Sequence, residues 1–215
     1  MIPLVSIIGA PGSGKTELIT ALIKELAKLG RTAGTIKHHA HEGGFDVEGK
    51  DSWRHAEAGA DEVCVASPTH LAFFRKTGKE LSPGEVASWY FAGADIILTE
   101  GYRSADTPKI EIIRDAKGAA PEAGEGELIA VVSDGKVATG APVFGRKETA
   151  RLAGFINERF PVPEMKNEVR LRVNGKTINL KPFVKAFIGN TVRGMVTTLR
   201  GCKNPQNVDI RVGKA

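Results

Sequence analysis

A glycine-rich segment near the start of the chain has the residue spacing of a phosphate-binding loop. Residues 9–16 read Gly-Ala-Pro-Gly-Ser-Gly-Lys-Thr and match the pattern G-x-x-x-x-G-K-[ST]. In such a loop, backbone N–H groups surround phosphate oxygens, the lysine reaches the β- and γ-phosphates, and the hydroxyl side chain binds Mg²⁺. We therefore expect a catalytic lysine, a metal ligand and three further contacts to a nucleoside triphosphate, namely Lys15, Thr16, Gly12, Ser13 and Gly14.

The segments on both sides of this loop have the patterns that the motif requires. Residues 4–8 are mostly apolar and β-branched, which predicts a buried parallel strand. Residues 17–29 place leucine and isoleucine at helical spacing. A phosphate-binding loop lies between a strand and a helix, so this context supports the motif.

A second apolar run ends in an acidic residue and can supply the metal side of the site. Residues 95–101 read Asp-Ile-Ile-Leu-Thr-Glu-Gly. In phosphate-loop proteins an acid at the end of a neighbouring strand holds Mg²⁺, usually through water. We expect Glu100 to be catalytic and to hold the metal, and Gly101 to let the backbone approach the γ-phosphate.

Basic and His-rich residues follow the second predicted strand. Lys37 ends that strand, and we expect it to contact the nucleotide. Histidines in residues 38–41 indicate a metal site, a contact to nucleotide or substrate, or a solvated loop. Lys50 brings positive charge to the start of a short helix, and Asp51 either caps that helix or orders a metal-bound water.

The sequence gives only weak evidence of which nucleobase is bound. The guanine-reading pattern Asn-Lys-x-Asp does not occur. Asp134 follows the predicted strand 128–132, where the acid of that pattern would stand. Its carboxylate could accept hydrogen bonds from guanine N1–H and N2–H₂, which adenine cannot supply.

Composition restricts the class of protein. The chain has 215 residues, 41% of them hydrophobic and 26% charged, as in ordinary globular proteins. No stretch approaches the roughly 20 apolar residues of a membrane span, and no leader precedes the first strand. We therefore expect a cytoplasmic protein. Cys64 and Cys202, the two cysteines, fit a reducing compartment, and Cys64 is expected to be a buried strand thiol.

The order of the predicted elements indicates a P-loop NTPase of the α/β class, with a mostly parallel sheet covered by helices. Residues 1–160 form the expected nucleotide-binding domain, and Pro161-Val162-Pro163 marks its end. Residues 164–215 predict a small α+β (ββαβ) domain: a hairpin around Asn174-Gly175, a helix from Pro182, and a last strand over 208–212.

The C-terminal segment is strongly basic. Residues 161–215 contain eleven Lys or Arg and three Asp or Glu, whereas the net charge of the whole chain is +5. This excess indicates an anionic partner, a docking surface or an extra dimerisation surface. Nucleic-acid binding is not expected, because aromatic residues do not alternate with the basic ones as stacking platforms would.

Several short blocks together resemble the molybdopterin-guanine dinucleotide biosynthesis protein B (MobB) family over residues ~2–160. The distinctive parts are Gly49-Lys50-Asp51-Ser52 with the Ala58-Gly59-Ala60 run, and Glu100-Gly101-Tyr102. Pro108-Lys109-Ile110-Glu111 is a further matching block. The resemblance implies a homodimeric accessory protein that binds GTP and Mg²⁺ and hydrolyses GTP weakly. It also implies partners, namely molybdopterin and the guanylyltransferase that joins GMP to it.

Two other functions fit the same residues. A small-molecule kinase also uses a phosphate-binding loop with a strand-end acid, although the loop 115–127 has only Lys117 to close over phosphates. A nickel-delivery GTPase would use the His-rich segment, but this sequence lacks a Cys-x-His metal site.

Overall fold

The computed structural model describes residues 2–39, 46–91, 93–114, 118, 120–124, 126–162, 169, 171–173, 176–203, 205, 208 and 210. The chain divides into two compact units, residues 1–160 and 161–215.

The first unit is built on a six-stranded sheet in which all neighbouring strands are parallel. Its strands are β1 (Leu4–Gly9), β2 (Ala33–Lys37), β5 (Ile96–Glu100), β6 (Lys109–Ile112), β7 (Leu128–Val132) and β8 (Val143–Phe144). Their order across the sheet is β2-β5-β1-β6-β7-β8. The predicted α/β class with a mostly parallel sheet is therefore confirmed.

Four helices accompany this sheet: α1 (Lys15–Lys28), α2 (Asp51–Glu57), α3 (Pro83–Tyr90) and α4 (Thr149–Arg159). The larger core cluster joins the sheet to α1 and α4, with Ile7, Leu22 and Leu152 almost completely buried. Burial of each such side chain contributes about 1.5–3 kcal/mol. A smaller cluster on the opposite face includes Ile97 and Ala87 of α3.

The residues at the start of α3 have the capping-box pattern, in which Ser82 is followed three positions later by Glu85. The Ser82 hydroxyl accepts a hydrogen bond from the Glu85 backbone N–H, and the Glu85 carboxylate accepts one from the Ser82 backbone N–H. This reciprocal pair is a capping box, and Pro83 occupies the first turn, where its missing N–H costs nothing.

One expectation about the cysteines was wrong. Within the described part of the chain, strands β3 (Glu62–Ala66) and β4 (Leu71–Arg75) pair with each other alone, as an antiparallel hairpin outside the six-stranded sheet. Val63 is buried in β3, but Cys64 is exposed. A hairpin with one covered face leaves alternate side chains in solvent, which alternation over so short a strand did not reveal.

The second unit contains the strands β9 (Leu171–Val173) and β10 (Lys176–Ile178), which pair antiparallel, and the helix α5 (Pro182–Thr197). The predicted turn at 174–175 and most of the predicted last strand, 208–212, lie outside the described residues. Val208 and Ile210 are described, and neither is in a strand. Among the described residues, no helix combines the length and apolar composition needed to cross a bilayer.

Candidate functional site

The phosphate-binding loop joins β1 to α1 and depends on glycine at two positions. Gly9 has φ 146°, and a Cβ there would lie 2.6 Å from the carbonyl oxygen of Ile112 in the neighbouring strand β6. Gly14 has φ 99° and forms the N-cap of α1 in the left-handed region. Other residue types are strained in these conformations, so glycine allows the chain to turn directly from strand into helix.

Lys15 lies at the first position of α1, and its side chain turns back over the loop. Its Nζ donates to the carbonyl oxygens of Gly9 at 3.1 Å and Ala10 at 2.9 Å. The ammonium group is thus held beside the same loop whose backbone N–H groups can bind phosphate. This location suits the contact to β- and γ-phosphates expected of Lys15.

Thr16 and the end of strand β5 form the part of the site that could hold a cation. The Thr16 Oγ1 donates to Glu100 Oε2 at 3.0 Å, and Lys37 Nζ lies 3.6 Å from Glu100 Oε1. The Glu100 side chain is 17% exposed, so its charge is partly shielded from water. Hydroxyl and carboxylate oxygens are the donors that Mg²⁺ prefers, and these two oxygens converge beside the phosphate loop.

The outer turn of the loop contains a polar atom with no partner. Among the described residues, the buried Ser13 Oγ has no hydrogen-bond partner. Buried hydroxyls normally form hydrogen bonds, so this oxygen is a group that a ligand, water or side-chain rotation could satisfy. The neighbouring Gly12 has φ 68°, and its carbonyl oxygen accepts a hydrogen bond from Arg114 Nη1 at 3.0 Å.

The chain bends sharply just after Glu100. Gly101 has φ 95° and donates its N–H to the Ile7 carbonyl oxygen, and Tyr102 follows with φ 58°. The Tyr102 ring stacks on His38 at 4.4 Å between centroids, and His38 Nε2 lies 2.6 Å from Glu80 Oε1. Burial, and then the charge of Glu80, raise the pKa of Tyr102. These contacts hold the bend close to the metal side of the site.

Asp134 lies on the other side of the loop, where β7 and β8 end. Its Oδ1 accepts a hydrogen bond from the Arg146 backbone N–H at 2.8 Å. The Arg146 guanidinium in turn lies against Gly14, since a Cβ on that glycine would be 2.8 Å from Nη2. Asp134 is therefore connected to the first turn of α1 through a single arginine.

A second carboxylate, that of Glu148 at the start of α4, also accepts a backbone hydrogen bond near Arg146. Glu148 Oε2 accepts the Gly145 backbone N–H at 2.7 Å, and Arg151 pairs with Oε1. The backbone hydrogen bond, followed by the bond from Arg151, lowers the pKa of Glu148. This anchor fixes the turn that carries the Arg146 backbone N–H.

Two predicted site residues lie at the start of α2. Lys50 is the N-cap of α2 without a side-chain hydrogen bond, and Asp51 is its first residue. The helix packs on β3. Of the two alternatives for Asp51, helix capping was wrong, because Asp51 lies one position inside the helix. The other alternative, ordering of a metal-bound water, stays a prediction.

The His-rich segment is described only in part. His38 and His39 belong to the described residues, while residues 40–45, including His41, lie outside them. Within the described part of the chain, no three His, Cys, Asp or Glu side chains are grouped as metal ligands would be.

Sequence analysis did not identify Arg114 and Arg146 as site residues. Arg114 lies two residues after the end of strand β6 at Ile112, and Arg146 lies two residues after the end of β8 at Phe144. A basic residue after a predicted strand was an available signal for Arg114, because strand ends face ligands in parallel sheets. No such signal existed for Arg146, since the two-residue strand β8 has no recognisable pattern.

Comparison with known proteins places the chain in one family. The family model described as molybdopterin guanine dinucleotide synthesis protein B matches residues 4–134. The molybdopterin-guanine dinucleotide biosynthesis adapter protein of Haemophilus influenzae is 40% identical over 114 residues, 53% of this chain and 64% of that protein. The match thus covers slightly less than two thirds of that relative. The adapter protein of Escherichia coli is 34% identical over 163 residues, 74% of this chain and 93% of its own length.

A third relative matches almost the entire chain. The putative molybdopterin-guanine dinucleotide biosynthesis adapter protein of Methanocaldococcus jannaschii is 26% identical over 231 residues, 97% of each chain. The alignment therefore extends into the second unit.

Solved structures agree with this assignment. The crystal structure of molybdopterin-guanine biosynthesis protein B (mobB) has a TM-score of 0.58 at 31% identity, covering 73% of this chain and 99% of that one. Bacillus subtilis MobB has a TM-score of 0.60 at 26% identity, covering 74% and 98%. The resemblance of the glycine-rich and Glu-Gly-Tyr blocks is thereby confirmed, and the chain belongs to the MobB family of molybdopterin-guanine dinucleotide biosynthesis proteins.

Proposed function

We propose that this protein is a GTP-binding adapter of molybdopterin guanine dinucleotide synthesis that hydrolyses GTP weakly. The observation that carries the proposal is the contact of Thr16 with Glu100 beside a complete phosphate-binding loop. Family membership supplies the biosynthetic process. The loop supplies the anion site, and the pair of oxygens supplies the cation site.

Mg²⁺ suits the residues that are present. Thr16 Oγ1 would bind the ion directly, and the Glu100 carboxylate would bind it directly or through a bound water. A bound Mg²⁺ would neutralise charge on the phosphates. Lys37 lies beside the same carboxylate and adds positive charge near the expected γ-phosphate.

The carboxylate of Asp134 favours guanine as the base. Asp134 uses Oδ1 to hold the Arg146 backbone N–H, and Oδ2 has no hydrogen bond among the described residues. A carboxylate oxygen can accept from guanine N1–H or N2–H₂, whereas adenine presents an acceptor at N1. The relatives' names, which contain guanine dinucleotide, point to the same base.

The proposed partners follow from the adapter role of the relatives. We expect residues 1–160 to be the GTP-binding domain of a homodimer that contacts the guanylyltransferase carrying molybdopterin. Residues 164–215 would be a small basic domain that docks an anionic partner or adds dimer surface. Slow hydrolysis fits the sequence, in which no glutamine or arginine finger is evident.

The test is a comparison of nucleotides followed by partner capture. The full-length protein should bind GTP more tightly than ATP in the presence of Mg²⁺, measured by titration calorimetry. The GTP-loaded protein should then capture purified guanylyltransferase in a pull-down. Equal affinity for both nucleotides would contradict GTP as the ligand, and a failure of capture would contradict the adapter role.

A further inference from the structure

A second pocket lies against the outer side of the phosphate-binding loop. Its volume is about 490 Å³, within the usual range for small-molecule sites. The loop segment 10–13 forms one wall, the end of β6 with Arg114 forms another, and residues 120 and 122 form a third. Arg103 and Glu111 complete the lining. We call this the Glu111 pocket.

The Glu111 pocket opens on the face of the sheet opposite α1. Ile110 and Ile112 belong to the core cluster that includes Leu22 of α1. Side chains alternate between the two faces along a strand, so Glu111 points to the other face. A triphosphate and a ligand of this pocket would therefore contact opposite sides of the phosphate-binding loop.

Glu111 is a buried acid whose hydrogen-bonding capacity is only partly used. Its side chain is 6% exposed. Oε2 accepts the Glu122 backbone N–H at 2.8 Å, while Oε1 lies 3.8 Å from Arg103 Nη2, too far for a hydrogen bond. Burial raises the pKa of Glu111, and the Glu122 backbone N–H and the charge of Arg103 oppose that shift. Within the described part of the chain Oε1 accepts no hydrogen bond, so this oxygen is available to a donor from a ligand.

Two arginines give the pocket positive charge near this acid. Arg103 donates to the Glu122 carbonyl oxygen, and its Nη1 lies 3.5 Å from the Glu122 carboxylate. Arg114 donates to the Gly12 carbonyl oxygen through Nη1. Guanidinium groups keep several donors free when one is used, so both arginines can also contact an anion.

The wall that contains Glu122 is closely packed. A Cβ at Gly124 would lie 2.7 Å from the Arg103 carbonyl oxygen, and Gly124 has φ 74°. A Cβ at Gly126 would lie 2.4 Å from the Thr107 carbonyl oxygen. Both positions need glycine for the segment after residue 120 to approach the chain after β5 so closely.

We propose that the Glu111 pocket binds a phosphorylated heterocycle with a 2-amino-4-oxopyrimidine ring, and that a pterin is its natural source. That ring presents a ring N–H and an adjacent amino group, the two donors that one carboxylate accepts, and the arginines face the phosphate. Guanine has the same edge. A pterin is favoured because the guanine nucleotide is assigned to the phosphate-binding loop. The inference rests on the proposed function, in which molybdopterin is handled beside GTP.

The test uses the full-length protein saturated with GTP and Mg²⁺, and neopterin phosphate as a fluorescent probe. We expect one pterin to bind per chain without displacing GTP. Glu111→Gln should weaken pterin binding about tenfold or more, because a hydrogen bond to a charged group is lost. The same variant should leave GTP affinity within about twofold. Glu122→Gln, the same change on the exposed rim, is the matched control and should retain pterin binding.

A ligand comparison makes the test independent of any variant's folding. 6,7-Dimethyllumazine lacks the 2-amino group of 6,7-dimethylpterin and should bind about tenfold more weakly or worse. GMP and AMP form a second matched pair. Binding of GMP but not of the pterins would support recognition of the shared edge and assign guanine as its source.

Three results would overturn the inference. They are equal binding of pterin and lumazine, displacement of GTP by the pterin, and unchanged pterin affinity in Glu111→Gln. If GTP binds at the phosphate-binding loop but neither a pterin nor GMP binds as a second ligand, the Glu111 pocket fails while the proposed function stands. If GTP itself does not bind, the proposed function fails, and the pterin titration is then read on the protein without nucleotide.

Discussion

Thr16 and Glu100 are 84 positions apart in the sequence, yet Oγ1 of Thr16 donates to Oε2 of Glu100 across 3.0 Å. The contact exists because β1 and β5 are parallel neighbours, with Ile7 opposite Glu100 in the register. The carboxyl ends of both strands therefore reach the same edge of the sheet, where ligands bind in open α/β folds. A hydroxyl and a carboxylate that meet beside a phosphate loop offer the oxygen donors that a hard cation prefers, which is why we propose Mg²⁺ there.

Glu100→Gln should weaken the response to Mg²⁺ while leaving the fold intact. Glutamine keeps the shape and can still accept from Thr16, but it removes the charge that attracts the ion. We expect the Mg²⁺ concentration for half-maximal hydrolysis to rise about tenfold or more, in the range typical of groups that support a metal. GTP affinity should fall less. Glu158→Gln on the exposed side of α4 is the control, and unchanged hydrolysis at limiting Mg²⁺ would remove Glu100 from the site.

Lys15→Ala should abolish most triphosphate binding. Among the described residues, Lys15 Nζ donates to the carbonyl oxygens of Gly9 and Ala10 alone. Its loss removes the cation at the phosphates without opening the core. Titration calorimetry should show an affinity for GTP with Mg²⁺ at least about tenfold lower, since hydrogen bonds to charged groups contribute ~1.5–3 kcal/mol. Lys24→Ala, on the exposed side of the same helix, should bind like the parent. Parent-like affinity in Lys15→Ala would refute the phosphate site.

Asp134→Asn should reduce the preference for GTP over ATP. Asparagine can still accept the Arg146 N–H through its oxygen, so the turn after β8 is retained. The second carboxylate oxygen becomes an amide donor, which cannot accept from guanine. The ratio of ATP to GTP dissociation constants should fall about tenfold or more through weaker GTP binding. Asp61→Asn on the β3–β4 hairpin is the control, and an unchanged ratio would show that another residue reads the base.

Glu85 gives a pH-dependent contribution to stability at the capping box of α3. The hydrogen bond from the Ser82 backbone N–H, followed by that from Lys79, lowers the pKa of Glu85 from 4.5 to about 2. Because the folded protein favours the ionised form, this contribution is complete above pH 4.5 and is lost as the pH falls towards 2.

Thermal unfolding of Glu85→Gln between pH 7 and pH 2.5 checks this prediction. The parent should melt at a higher temperature at pH 7, and the difference should shrink below pH 4.5. Glu158→Gln on the exposed side of α4 is the comparison. A difference that stays constant over the whole range would show that the charge of Glu85 does not contribute.

Truncation after Phe160 should separate nucleotide binding from the basic unit. All residues that we assign to the phosphate and metal sites precede this position, so GTP affinity should stay within a few-fold. Self-association or partner capture should weaken, since exposed Phe183 and Phe187 on α5 and the surrounding positive charge are removed. Sedimentation and pull-downs at low and high salt measure both effects, because salt screens charge beyond about 8–10 Å. A truncated protein that dimerises and captures its partner normally would contradict this role.

The sequence alone determined the phosphate loop, the strands β1 and β5 and the capping box of α3. These features depend on interactions over a few residues. Glycines set the turn, an apolar run sets a buried strand, and Ser82 with Glu85 sets a helix start. The α/β class followed from their order, and the family resemblance came from short blocks near the same loop.

Only the tertiary structure decided which distant groups meet. Arg114 reaches the Gly12 carbonyl oxygen because β6 lies next to β1, and Arg146 reaches Gly14 because β8 ends beside β7. The burial of Glu111 depends on the segment around Glu122, which packs over β6. The exposure of Cys64 depends on the β3–β4 hairpin, which is not part of the six-stranded sheet. Local patterns encode which face a side chain takes in its own element. They do not encode which other element covers that face, because strand order arises from contacts between separate segments, as between β1 and β6.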